Sequence, residues 1–182
     1  LGMYEEAISY YKKAELIDSG KKWIKERMAY CYRRVKDYKK AITYYEFLEK
    51  SNPDDLFVHA NLGHCYMDME KYEDALNHYF KVEYLDPDNP KIHRPLAWCL
   101  FAMGKLDKAL KYSSQNIEKS KNKNDFINTG HIYWCQGKIQ QAIEYYKRGY
   151  ALSKQDSNWL SKTFKQDTEH LLKNGISHFD IP

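Results

Sequence analysis

The stretch HANLGHCYMDMEKYEDALNHYFKVEYLDP, residues 59–87, decides the fold. It holds two apolar patterns of helical period separated by a polar break. Its cysteine, Cys65, has counterparts at Cys31 and Cys99, a constant step of 34 residues. Other columns fall into the same register. Ala7, Ala41, Ala75, Ala109 and Ala142 follow one another at 34, 34, 34 and 33. Tyr4, Tyr38 and Tyr72 precede the first three of these alanines, and Leu106 and Ile139 continue that column. Tyr11, Tyr45, Tyr79 and Tyr146 follow the alanines, with Ser113 the exception. Pro53 and Pro87 close two of the units. Self-similarity at this period marks a stacked repeat, in which each unit leaves an apolar face that only its neighbour buries.

In the quoted unit, Leu62-Gly63 is followed by Tyr66, then Tyr72, Ala75, Tyr79 and Pro87. This resembles the tetratricopeptide repeat, whose pattern runs W-x2-L-G-x2-Y, A-x3-F, P. His59 stands in the Trp slot. The fifth unit repeats the theme with Gly130, Tyr133, Gly137, Ala142 and Tyr146. The fourth keeps Ala97, Leu100, Gly104 and Ala109 but carries Ser113 and Asn116 where an aromatic and a small residue are usual. The resemblance spans residues 1–155. It implies an all-α fold, a right-handed superhelical solenoid of antiparallel helix pairs. The expected layout is one repeat domain over 1–182. A partial unit covers 1–20, with a helix near 3–18. Full units cover about 22–54, 55–89, 90–122 and 123–155, with helix pairs near 22–51, 55–85, 90–118 and 124–152. A last amphipathic helix, 157–173 within a 157–174 cap, would cover the open end with Trp159, Leu160, Phe164, Leu171 and Leu172. Pro95 falls past the first turn of a helix begun at Pro90, which predicts a kink or a distorted start there. Small residues at Gly63, Ala97 and Gly130 let paired helices approach, and tyrosines fill the holes between them.

Composition agrees. Hydrophobic residues make up 43% and charged residues 30% of the 182, enough for a packed core and against disorder. No apolar run reaches membrane-spanning length. The four cysteines form no close-spaced framework and read as free thiols of a reducing, cytoplasmic compartment. The opening LGMYEEAISYYKKAELI begins inside a unit, so the chain reads as part of a longer protein. Its truncated first repeat predicts an apolar face available for self-association. The net charge of +4 is unevenly spread. Residues 21–40 carry nine Lys/Arg against Glu26 and Asp37, residues 54–90 carry nine Asp/Glu against Lys71 and Lys81, and 91–123 turn basic again. That acidic interruption disfavours a continuous track for nucleic acid.

His64-Cys65 invites a metal or nucleophile reading. Cys31, Cys65 and Cys99 share one slot, where the resemblance implies a small buried residue, and Cys serves there as a small hydrophobe. Equivalent helices of adjacent repeats lie about 10 Å apart, too far for a disulfide or a shared ion. Neighbours on a helix also point about 100° apart. Cys135 sits three residues later in its unit and is expected to be more exposed. His59 and His93 share the bulky packing slot. His64 and His131 share another slot, which the resemblance places on the concave face. No phosphate loop, HExxH, CxxC or GxSxG occurs, so neither catalysis nor any cofactor or metal is expected.

The resemblance implies that first helices line a concave groove. In register these offer Trp23, Glu26, Arg27, Tyr30, Arg33 and Arg34; Phe57, Asn61, His64, Met67 and Asp68; Arg94, Trp98 and Phe101; and Asn124, Ile127, Asn128, His131 and Trp134. The clamp that relatives use for chaperone C-terminal tails is not matched. Glu26 and Tyr30 hold slots needing Lys and Asn, only Asn61 fits, and Arg94-Pro95 offers a displaced Arg. The expected function is a non-enzymatic scaffold that holds another protein's segment against aromatic anchors with Arg steering. Two alternatives stand beside it: a nucleic-acid-binding repeat using Trp23, Tyr30, Tyr32 and Tyr38 among the basic residues, and the regulatory array of a larger enzyme or signalling protein.

Overall fold

The computed structural model describes residues 2–117 and 122–181. Residue 118, where the fourth pair is expected to end, lies outside them, as does the side chain of Asn116. Every regular element among the described residues is helical. The chain forms two compact units, Leu1–Asp88 and Asn89–Pro182.

The first unit holds α1 (Gly2–Ile17), α2 (Lys22–Arg34), α3 (Tyr38–Ser51), α4 (Leu56–Asp68) and α5 (Tyr72–Leu85). Asp37 and Asp55 cap α3 and α4 by accepting backbone N–H groups of Lys40, Phe57 and Val58, which satisfies donors that a helix start leaves open. The core runs through Met28, Ala29, Tyr45, Leu48, Leu62 and Cys65, all 5% exposed or less. Each large side chain so buried contributes about 1.5–3 kcal/mol. A Cβ on Gly63 would stand 2.4 Å from the Tyr79 ring, so this glycine is what lets α4 and α5 close. α1 leaves Met3, Leu16 and Ile17 on the surface.

The second unit holds α6 (His93–Ala102), α7 (Leu106–Ile117), α8 (Lys123–Cys135), α9 (Ile139–Leu152), α10 (Ser157–Lys173) and a 3-10 turn, His178–Asp180. Gly130 meets Tyr146 as Gly63 meets Tyr79, again at 2.4 Å. In the same columns α6 and α7 carry Ala97 and Ser113, and the Ser113 hydroxyl bonds to that of Thr129. The larger residue on one helix thus faces the smaller on the other. Of the kink or distorted start expected at Pro95, the distorted start is what forms. Turns occupy 90–92, the helix starts at His93, and Pro95 is its third residue, where a backbone N–H has no intrahelical partner to lose.

One turn joins the helices of each pair. The backbone N–H groups of Asp37, Lys71, Lys105 and Lys138 reach back to the carbonyls of Tyr32, Tyr66, Leu100 and Tyr133, at 2.8–2.9 Å. Each bond closes over a residue in the left-handed region: Lys36 (φ 64) and Glu70 (φ 59) in the first unit, Gly104 (φ 72) and Gly137 (φ 73) in the second. The non-glycine residues carry a cost of about 1–2 kcal/mol each there.

Candidate functional site

In the first unit, α2 and α4 present matching stripes. Trp23 and Phe57 stand one repeat apart and are 52% and 50% exposed. Each ring is braced edge-on from below, Trp23 by Tyr11 at 6.2 Å and Phe57 by Tyr45 at 6.4 Å. Arg27 is exposed. Tyr30 is half-buried against Tyr4, over which the Arg34 guanidinium also lies at 5.3 Å. Arg33 ties the stripes together: its Nη1 donates to the Asn61 Oδ1 at 3.1 Å and its Nε lies 3.8 Å from Asp68. Asn61, expected on the groove surface, is instead buried, because its amide also donates to the Phe57 carbonyl.

His64 is half-buried, and its Nδ1 hydrogen-bonds with the Tyr79 hydroxyl, 2.7 Å away. Burial, then the Arg33 charge, draws its pKa down to about 4, so the ring is neutral at pH 7. The expectation for Cys65 and Cys99 holds. Both are buried, and burial pushes each thiol up to about 12, which leaves neither as a thiolate nucleophile or ligand. Cys135 is half-buried, with its thiol raised to about 11 by the same cause.

The second unit presents the same slots but covers them. Phe164 of α10 packs on His131 (4.9 Å), Tyr146 (5.1 Å) and Trp134 (6.3 Å). Asp167 lies 3.3 Å from the His131 Nε2, and the His131 Nδ1 bonds to the Tyr146 hydroxyl at 2.8 Å. His170 meets Trp98 edge-on at 5.2 Å, and the Asn174 amide donates to the Phe101 carbonyl at 3.1 Å. At the other end, the Lys123 ammonium sits 4.0 Å over the Trp159 ring. The last helix therefore covers not only α8 and α9 but the inner side of α6. Phe101 and His131 are fully buried, and Trp98 and Trp134 half-buried, so none of the four offers the open ring expected of it. Asn128 is half-buried and lines, with Trp98, a cleft against Trp159 and Thr163 of α10.

Arg94 has a partner within the unit. Its guanidinium grips the buried Asp125 carboxylate in a bidentate pair, with Nη2 to Oδ2 at 2.8 Å, and is committed to this pair while its side chain stays 48% exposed. Much of the basic segment is committed likewise: Lys22 to Asp55, Lys25 to Glu15 and Lys40 to Asp37, at 3.0, 2.8 and 2.6 Å. The sequence shows no ligand cluster, yet the fold assembles one. Glu49, His59 and His78 bring one ligand atom each within 4.8 Å of the others. They come from three helices at no motif spacing, and His59 is buried, as its packing slot suggests.

No described helix is long and apolar enough to cross a membrane. No curated protein matches the chain in sequence. Among solved structures, MamA from Desulfovibrio magneticus RS-1 superposes with a TM-score of 0.78 at 16% identity, over 86% of this chain and 89% of that one. Another crystal structure of MamA gives 0.74 at 18%, over 84% and 90%. YrrB, described as a TPR protein with an unusual peptide-binding site, gives 0.70 at 21%, over 83% and 78%. At these identities the likeness speaks for the fold. Tetratricopeptide repeat family models match residues 1–20 and 25–55, 57–89, and 126–158, together more than half of the chain. With the repeated turn, the Gly–Tyr contacts and the shared fold, these matches make the chain a member of the tetratricopeptide repeat family.

Proposed function

We propose that this repeat scaffold is non-catalytic and binds an extended segment of a partner protein on the inner face of its first unit. The observation that carries the reading is the pair of half-exposed rings, Trp23 and Phe57, one repeat apart and braced from below, with Arg27 exposed beside them. Aromatic anchors with an adjacent Arg are the residues that dominate peptide affinity. Rings already held in place lose little freedom on binding. YrrB, of similar fold, is described as having a peptide-binding site, which is consistent with this use of the architecture. The ion pairs made by lysines of residues 21–40 weigh against nucleic acid, since a cation held by a carboxylate releases fewer counterions from a phosphate backbone. The free thiols suit a cytoplasmic setting. The exposed Met3, Leu16 and Ile17 of α1 supply a separate surface for pairing with a second copy.

The test is selection from a displayed random-peptide library. Sequences enriched on the wild type, lost on Trp23→Ala/Phe57→Ala and retained on Trp98→Ala, support the reading. Enrichment that survives the double substitution contradicts it.

A further inference from the structure

Glu49 lies in the last turns of α3, His59 in the first turn of α4 and His78 in the middle of α5. The Nδ1 atoms of the two histidines are 3.2 Å apart, and the Glu49 Oε1 lies 3.4 Å from the first and 3.8 Å from the second. A tetrahedral ion with donors about 2.1 Å away holds those donors about 3.4 Å apart. The three atoms therefore already form one face of such a tetrahedron.

Proton accounting at this face leaves a position that one hydrogen cannot serve. The His59 Nε2 lies 2.8 Å from the Pro53 carbonyl oxygen, which can only accept, so Nε2 carries the proton. In the neutral ring, Nδ1 of His59 is then a lone pair. It points at the Nδ1 of His78 and at a carboxylate oxygen that is also an acceptor. A proton on the His78 Nδ1 bonds to one of these and leaves two acceptors facing each other. A cation would be shared by all three. The surroundings suit a cation as well, since the carboxylates of Glu46 and Asp74 act electrostatically on His78. The His78 ring is stacked on Tyr66 at 5.6 Å, which fixes its orientation. The Pro53 carbonyl is the kind of outer partner that sets the tautomer of a metal-ligating histidine.

We propose that Glu49, His59 and His78 form a binding site for a divalent transition-metal ion of the zinc class, coordinated through one carboxylate oxygen and two Nδ1 atoms. Two imidazoles with one carboxylate favour zinc, nickel or cobalt over calcium or magnesium, which prefer all-oxygen shells. Binding takes the His59 lone pair as it stands. At His78 the proton moves from Nδ1 to Nε2, so the neutral ring keeps one proton and frees the coordinating lone pair. The fourth position faces solvent on the side of Glu49 and His78, whose side chains are 30% and 20% exposed against 6% for His59, and takes a water molecule. The ion would tie α3 to the following pair, α4 and α5, so its effect is a clamp across one repeat boundary within the first unit.

The test uses the whole chain, stripped with a chelator and titrated with zinc chloride near neutral pH by calorimetry, then with cobalt(II) by visible absorption. The expected result is one ion per chain, a rise in melting temperature on zinc addition, and the intense absorption bands of tetrahedral cobalt. His78→Gln and Glu49→Gln each weaken zinc binding at least about tenfold and abolish those bands. His64→Gln and His178→Ala leave both unchanged. His59→Gln is a poor probe, because that buried ring also holds the Pro53 turn, so the decisive variants are those of His78 and Glu49, which are partly exposed. Zinc binding of equal strength in His78→Gln, or no binding by the wild type at micromolar zinc, overturns the proposal.

Discussion

The two units solve the same problem at their inner faces in opposite ways. His64 and His131 hold the same slot, each bonded through Nδ1 to a tyrosine hydroxyl of the paired helix. Yet His64 is half-buried and His131 is 0% exposed. The difference is α10, which brings Phe164, Asp167, His170 and Asn174 onto the second face. The first face keeps Trp23 and Phe57 in solvent. Residue type in a repeat slot does not by itself make a binding surface; whether another element lies over the slot decides it.

The largest expected effect comes from removing the cover. Phe164→Ala should cost about 3–5 kcal/mol in denaturant unfolding and expose the backbone of α8 to hydrogen exchange, with α4 unchanged. Loss of protection in both helices would mean that the units do not differ in this way. Next come the glycines at the helix crossings. Gly63→Ala and Gly130→Ala should each cost about 1–3 kcal/mol, because the added methyl meets the face of a packed tyrosine ring. Equal stability of either variant would show that the ring yields.

A pH effect belongs to the first unit. With His64 lowered to about 4 in the folded chain against 6.5 in the unfolded one, the unfolded state binds the proton more readily. The contribution is present in full above about pH 6.5 and lost as the pH falls toward 4. It amounts to something on the order of 2 kcal/mol, discounted for the partial exposure of the ring. His64→Gln should flatten that slope in denaturation midpoints taken across the range. The smallest effect sharpens the contrast in turns. Glu70→Gly should add about 1 kcal/mol to thermal or chemical stability, since Glu70 holds a positive φ that Gly104 and Gly137 meet without strain in the second unit.

The fold was legible because a period survives substitution. The alanine and tyrosine columns announce helix pairs whatever fills the other positions, even where Ser113 interrupts the tyrosine column. The position of α10 was less legible. Its apolar stripe states that it needs a partner, but nothing in Phe164 or Leu171 says that the helix also reaches Trp98 and Phe101. Arg94 read as a steering charge because Asp125 lies 31 residues away and only the packing joins them. The Glu49, His59 and His78 cluster was hidden for the same reason. The positive φ at Lys36 and Glu70 left no glycine to mark it.

The first face is open to solvent and the second is occupied by the chain itself. The four tryptophans report it directly, since Trp23 lies on the first face, Trp98 and Trp134 under α10, and Trp159 within α10. The measurement is a two-dimensional NMR titration of the indole N–H resonances with a peptide selected on the wild-type chain. The expected result is that the Trp23 resonance moves and saturates while those of Trp98, Trp134 and Trp159 stay in place. Movement of Trp98, Trp134 and Trp159 with Trp23 unchanged would mean that the peptide displaces α10, and would contradict it.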